Sequence, residues 1–133
     1  MSARILIVED ELLIALEMEA IIEEEGHRPV GIATSVSEAR QIVATEKPDV
    51  ALVDLNLADG PTGPDIGREL AQAGVLVIFV TANPRMISHI VPGILGVVEK
   101  PVQGDDIVDV VSYAVAHRNG ASMSPPGVLR FLS

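Results

Sequence analysis

Val50-Ala51-Leu52-Val53-Asp54 is four apolar residues closed by an acid, with Pro48-Asp49 in front of them. No polar residue alternates with the apolar ones, so the run suits a strand buried on both faces, as the strands of a parallel sheet are. Working back toward the N-terminus, Pro48 ends a helix that Ser35 or Ser37 can cap, and Ser35 has Glu38 three residues on, as a capping box wants. Residues 29–33 read as a weaker strand. Before them, Leu12, Leu13, Leu16, Ala20 and Ile21 recur at helical spacing across 11–25, and Gly26 stops that helix. The chain opens on Arg4-Ile5-Leu6-Ile7-Val8, another buried-strand pattern, which runs into Glu9-Asp10.

Working forward from Asp54, a loop of turn residues (Ala58-Asp59-Gly60-Pro61-Thr62-Gly63) leads to a helix ending near Ala73. The apolar run 75–80 is a fourth strand closing at Thr81. A short helix is expected over 84–91, cut off by Pro92-Gly93. Residues 94–98 make a fifth strand that ends at Glu99-Lys100-Pro101. A last helix spans 103–117, with Asp105, Asp106 and Asp109 near its N-terminus, where the helix dipole favours acids. Five strand–helix units in succession predict an α/β fold: a doubly wound, five-stranded parallel sheet of order 2-1-3-4-5 with five helices, the flavodoxin-like arrangement. Residues 1–118 form the domain. Residues 119–133 are expected to be a flexible tail, whose apolar end (Val128, Leu129, Phe131, Leu132) could pack back or meet a second copy or a kinase.

Composition narrows the function. The 133 residues include one Tyr, two Phe and no Trp, so the core is aliphatic; without Cys there is neither a disulfide framework nor a thiolate metal site. Nine basic residues face nineteen acids, a net charge of −10, which disfavours nucleic acid as a partner. No apolar run approaches a membrane span of about 20 residues, and no basic-then-apolar leader precedes the first strand, so a cytoplasmic protein is expected.

Four of the five strands end in a residue capable of chemistry: Glu9 and Asp10, Asp54, Thr81 and Lys100. In the order 2-1-3-4-5 those four strands are contiguous, and open sheets bind ligands beyond the carboxyl ends of their strands. Asp54 offers a carboxylate nucleophile for a phosphoryl group. Glu9 and Asp10 supply the hard oxygen ligands Mg²⁺ prefers, and the cation would offset the repulsion among three converging carboxylates. Thr81 can donate a hydrogen bond to a phosphoryl oxygen, and Lys100 is a mobile point charge. Taken singly, each has a plainer reading. Asp54 could be a turn residue, Glu9-Asp10 a helix N-terminus, Thr81 a cap and Lys100 a solvated lysine, one of only two beside seven Arg. Independent accidents would not fall on four neighbouring strand ends.

In order and approximate spacing, Glu9-Asp10, Asp54, Thr81-Ala82 and Lys100-Pro101 resemble the response-regulator receiver (CheY-like) family, over residues 3 to about 118. The resemblance implies Asp54 as phosphoacceptor, Asp10 as a direct Mg²⁺ ligand and Glu9 acting largely through water. It implies that Asn56 lends the metal its backbone carbonyl, Thr81 is the switch hydroxyl, Lys100 the pocket lysine, and Lys100-Pro101 a cis peptide. It also implies a phosphoryl donor, a histidine kinase or phosphotransfer protein, and an unknown downstream protein. A stand-alone receiver, monomeric or weakly dimeric, is expected, signalling by protein contact or serving as a phosphate sink, and no enzyme beyond its own phosphorylation and dephosphorylation. The sequence departs from the family at Val97, where an aromatic switch residue usually stands three positions before the lysine. The change on activation is therefore expected in the backbone of 82–93. Among rivals, a phosphoaspartyl hydrolase of the haloacid-dehalogenase type needs a second acid where Asn56 stands, and Asn56 cannot titrate. A flavin or nucleotide module would want a glycine-rich loop after the first strand. A pseudo-receiver that binds partners without phosphorylation would not need the intact pocket.

Overall fold

A computed structural model describes residues 2–84 and 93–131. The elements are β1 (Arg4–Val8), α1 (Leu12–Glu24), β2 (Arg28–Ala33), α2 (Val36–Glu46), β3 (Val50–Val53), α3 (Gly63–Gln72), β4 (Leu76–Thr81), β5 (Ile94–Glu99), α4 (Gly104–Arg118) and β6 (Leu129–Arg130). The sheet runs in the order β2-β1-β3-β4-β5-β6. All neighbours from β2 to β5 are parallel.

Alternate residues of the strands feed two separate cores, as a sheet covered on both faces requires. Ile5, Ile7, Leu52, Ile78, Val80 and Val98 pack with Ala15, Met18 and Ile22 of α1 and Ile107, Val110 and Ala114 of α4. Leu6, Val8, Ala51, Val53, Phe79 and Val97 pack with Ala39 of α2 and Ile66 and Leu70 of α3. Gly26, at φ +84°, ends α1 as expected. Ser35 caps α2, its hydroxyl accepting the Glu38 N–H at 3.3 Å. The return half of the expected capping box goes elsewhere, because the Glu38 carboxylate accepts from the N–H and hydroxyl of Thr34 instead.

One expectation needs correction. Among the described residues the sheet has six strands, not five, and is not wholly parallel: Leu129 and Arg130 pair antiparallel with Val98 and Val97 at the β5 edge. A two-residue strand produces no period-2 pattern, so nothing in the sequence announces it. Four of the five expected helices lie among the described residues. The short helix expected over 84–91 lies almost wholly outside them, as does most of the 82–93 segment.

Candidate functional site

The carboxyl ends of β1, β3, β4 and β5 lie side by side, and the polar residues that close them meet there. Lys100 Nζ sits between two carboxylates, 2.5 Å from Glu9 Oε1 and 3.0 Å from Asp54 Oδ2. Glu9 is 1% exposed, Asp54 7% and Thr81 0%, while Asp10 is exposed at the rim. One carboxylate oxygen from each of Glu9, Asp10 and Asp54 falls within 4.8 Å of the others. Asp54 Oδ1 accepts the Asn56 N–H at 3.4 Å. Thr81 Oγ1 accepts the Asn83 N–H at 3.0 Å, and the Lys100 N–H donates to the Thr81 carbonyl at 2.8 Å. The Lys100-Pro101 peptide is cis. Glu9, Asp10, Asp54, Thr81 and Lys100 thus stand at one crevice, with the Asn56 N–H on Asp54.

Burial pushes the Glu9 carboxyl up to about 7, against the pull of the Lys100 hydrogen bond, and the neighbouring Asp54 charge adds to the rise. Burial alone would lower the Lys100 ammonium, but the hydrogen bonds to Glu9 and Asp54 outweigh it and hold Lys100 above the ordinary lysine value. Lys100 therefore stays charged, and it is the counter-ion that lets two carboxylates be buried together.

The helix-terminus reading of Glu9 is partly right as well. Its Oε2 accepts the Glu11 N–H at 3.1 Å, just ahead of the first turn of α1. One side chain therefore serves both the helix end and the lysine. The sequence did not single out Gly63. An added Cβ there would lie 2.1 Å from the Asp54 carbonyl oxygen, so α3 begins against the backbone of the acid itself. A glycine at a helix start has no signal of its own in a sequence, and only the packing reveals its role. Beside the site, Leu12, Leu13 and Leu16 of α1 are exposed.

A fold with this strand order and an acid–lysine pocket at its switch point defines a class of signalling domain. The chain belongs to the response regulator receiver domain family, whose model matches residues 5–112. It is a receiver domain of two-component signalling. It is similar to the phyllosphere-induced regulator PhyR of Methylorubrum extorquens, 38% identical over 124 residues, which are 91% of this chain and 46% of that protein. Among solved structures it resembles the response regulator PhyR of Brucella abortus, at TM-score 0.80 and 35% identity over 90% of this chain and 50% of that one. It also resembles the receiver domain of Erythrobacter litoralis PhyR, at TM-score 0.75 and 34% identity over 96% of this chain and 97% of that one. The chain thus spans about half the length of the curated relatives it matches. Receiver domains generally bind Mg²⁺, and the cluster of Glu9, Asp10 and Asp54 could hold a metal. No helix among the described residues is long and apolar enough to cross a membrane.

Proposed function

We propose that Asp54 accepts a phosphoryl group from a phosphohistidine on a histidine kinase or phosphotransfer protein, in the cytoplasm and with Mg²⁺, and that the phosphorylated domain signals through protein contact or acts as a sink. The observation that carries this reading is the shared lysine: Lys100 bonds the buried Asp54 and Glu9 at once, and a third acid at the rim, Asp10, has an oxygen within 4.8 Å of both carboxylates.

Asp54 Oδ forms the new O–P bond as the donor's N–P bond breaks, and the imidazole nitrogen leaves with the bonding pair and is protonated. Hard carboxylate oxygens within 4.8 Å of one another suit Mg²⁺, so Asp10 and Asp54 would hold it, with the Asn56 carbonyl, and Glu9 through water. When bound, the cation neutralises the clustered carboxylates and the incoming phosphoryl oxygens. Lys100 can turn from Asp54 to a phosphoryl oxygen without leaving the pocket, and the Thr81 hydroxyl can donate to another. Exposed leucines on α1 beside the acceptor suit a protein donor better than a small molecule. With Asn56 where a second titrating acid would stand, the domain turns over no other substrate.

The test is acid-labile, base-labile labelling by a phosphorylated histidine kinase, or by a small phosphodonor with Mg²⁺. Wild type should be labelled and Asp54→Asn should not. Undiminished labelling of the variant would remove Asp54 from the reading.

A further inference from the structure

The β5 edge of the sheet is closed by the chain itself. After α4, residues 119–128 run without helix or strand and are mostly exposed, and then β6 adds two residues to the ladder. Leu129 is 5% exposed and joins the α1–α4 core. Phe131 lies edge-on to Tyr113, ring centroids 6.0 Å apart. The Arg130 guanidinium is 3.6 Å from Glu99, with both side chains largely in solvent. The Arg130 carbonyl lies so close over Gly96 that an added Cβ would be 2.3 Å from it. Gly96 and Leu129 thus specify this strand, but among the described residues little holds it: two ladder pairs, one buried side chain, the Phe131–Tyr113 ring contact and an exposed ion pair that water weakens. Attachments of this kind open locally far more readily than central strands do.

The same strand serves the phosphoacceptor site. Thr81 pairs with Glu99 across β4 and β5, and Lys100 follows Glu99 directly. The β6 pairs at Val97 and Val98, and the Arg130–Glu99 contact, therefore run up to the residue before the pocket lysine. A phosphoryl group on Asp54 would redraw the bonds of Lys100 and Thr81, and the end of β5 must follow. The tight approach of Arg130 to Gly96 leaves no slack for β5 to shift with β6 attached.

From this geometry we infer that segment 125–131 is a detachable edge strand. It lies on β5 in the unphosphorylated protein and leaves when Asp54 is phosphorylated. The bared β5 edge then takes an extended segment of a partner protein as an added strand, with an apolar side chain in the place of Leu129. The inference rests on Asp54 as the phosphoacceptor and gives that reading an output surface. Linkage requires that whatever expels the strand should favour phosphorylation by the same factor.

The experiment is NMR on the full chain with Mg²⁺ and beryllofluoride. The bound ¹⁹F signal reports whether the Asp54 site takes the phosphoryl analogue, independently of the strand. The Leu129 N–H donates to the Pro126 carbonyl within the segment, so amide exchange at Arg130, paired with Val97, reports the strand. Its protection should fall at least about fivefold when the analogue binds, the lower end of ordinary coupling, while β1 and β3 stay unchanged. A bound ¹⁹F signal with equal protection at Arg130 would overturn the inference and leave the acceptor reading standing. No bound signal would take both down. Gly96→Ala puts a methyl where the Arg130 carbonyl lies, so it should expose the strand in both states and tighten analogue binding by the same factor. Should Gly96→Ala disturb β1 and β3, Leu129→Ser removes the anchor instead. A released strand with unchanged analogue affinity would overturn the coupling. A peptide of the sequence 123–131 should shift the β5 amides of Leu129→Ser, and no shift would overturn the strand-acceptor assignment.

Discussion

Lys100 Nζ lies nearer to Glu9 (2.5 Å) than to Asp54 (3.0 Å), so the lysine of the pocket is anchored by a residue other than the nucleophile. Such an anchor can hold the ammonium in place while Asp54 changes from a carboxylate to an acyl phosphate. It also ties the ionisation of Glu9 to the stability of the domain.

That tie gives a pH prediction for the metal-free protein. Glu9 is raised from 4.5 to about 7, chiefly by burial. Between those values the folded chain holds a proton that the unfolded chain has lost. The stability linked to Glu9 is therefore fully present below pH 4.5 and is lost as pH rises through about 7. The loss should approach, at most, about 3 kcal/mol. His27, lowered by burial, works in the opposite direction below the ordinary histidine value of 6.5. Glu9→Gln separates the two. Urea midpoints in EDTA should fall from pH 5.5 to pH 8 in wild type relative to the variant, and a pH-independent difference would contradict the assignment.

Mg²⁺ affinity should depend on Asp10 far more than on Glu9. Both Glu9 oxygens already have protein partners, Oε1 with Lys100 and Oε2 with the Glu11 N–H, whereas Asp10 stands at the exposed rim. Titration calorimetry should show the larger loss for Asp10→Asn and the smaller for Glu9→Gln. Equal Mg²⁺ affinity in wild type and Asp10→Asn would refute that order.

Two glycines of α3 should separate stability from chemistry. An added Cβ at Gly67 would lie 2.5 Å from Phe79 Cζ, inside the α2–α3 core. Gly67→Ala should therefore cost about 1–3 kcal/mol by overpacking, with labelling per folded molecule preserved. At Gly63 the added atom would meet the Asp54 carbonyl and the Leu55 backbone. Gly63→Ala should slow phosphorylation beyond what its loss of stability explains. Equal phosphorylation rates for the two folded variants would show that the Gly63 contact does not position Asp54.

The sequence made the central sheet legible because β1, β3 and β4 are unbroken apolar runs, each closed by a polar residue at the sheet's carboxyl edge. Position carried the site. Asp54, Thr81 and Lys100 say little one by one, but parallel neighbours bring them to one crevice. Packing relations were not legible: that α3 starts against the Asp54 backbone, or that Leu129 reaches a core more than ten residues after α4 ends. Those depend on Gly63 and Gly96 lacking a side chain where another part of the chain passes, and glycine in a sequence does not say what approaches it. The Glu38 carboxylate bonding Thr34 instead of Ser35 is a smaller case of the same kind, a choice between adjacent donors that spacing cannot make.

The Thr81 hydroxyl supplies the last prediction. It is fully buried, and its Oγ1 accepts the Asn83 N–H at 3.0 Å. A phosphoryl oxygen on Asp54 would need that hydroxyl as a donor, and turning it inward draws Oγ1 away from Asn83. Val97, behind it on β5, is 2% exposed and packs in the α2–α3 core with Phe79, so a change of its rotamer moves little volume. The messenger should then be the backbone after Thr81, released at Asn83. Amide exchange at Asn83 should quicken when beryllofluoride and Mg²⁺ bind. Thr81→Ala should show the fast exchange in both states while Asp54 is still labelled, because the chemistry of transfer does not pass through the hydroxyl. If Asn83 exchanges equally in both states of wild type while the Val97 methyls shift, the signal leaves through the β5 side chain and not through Thr81.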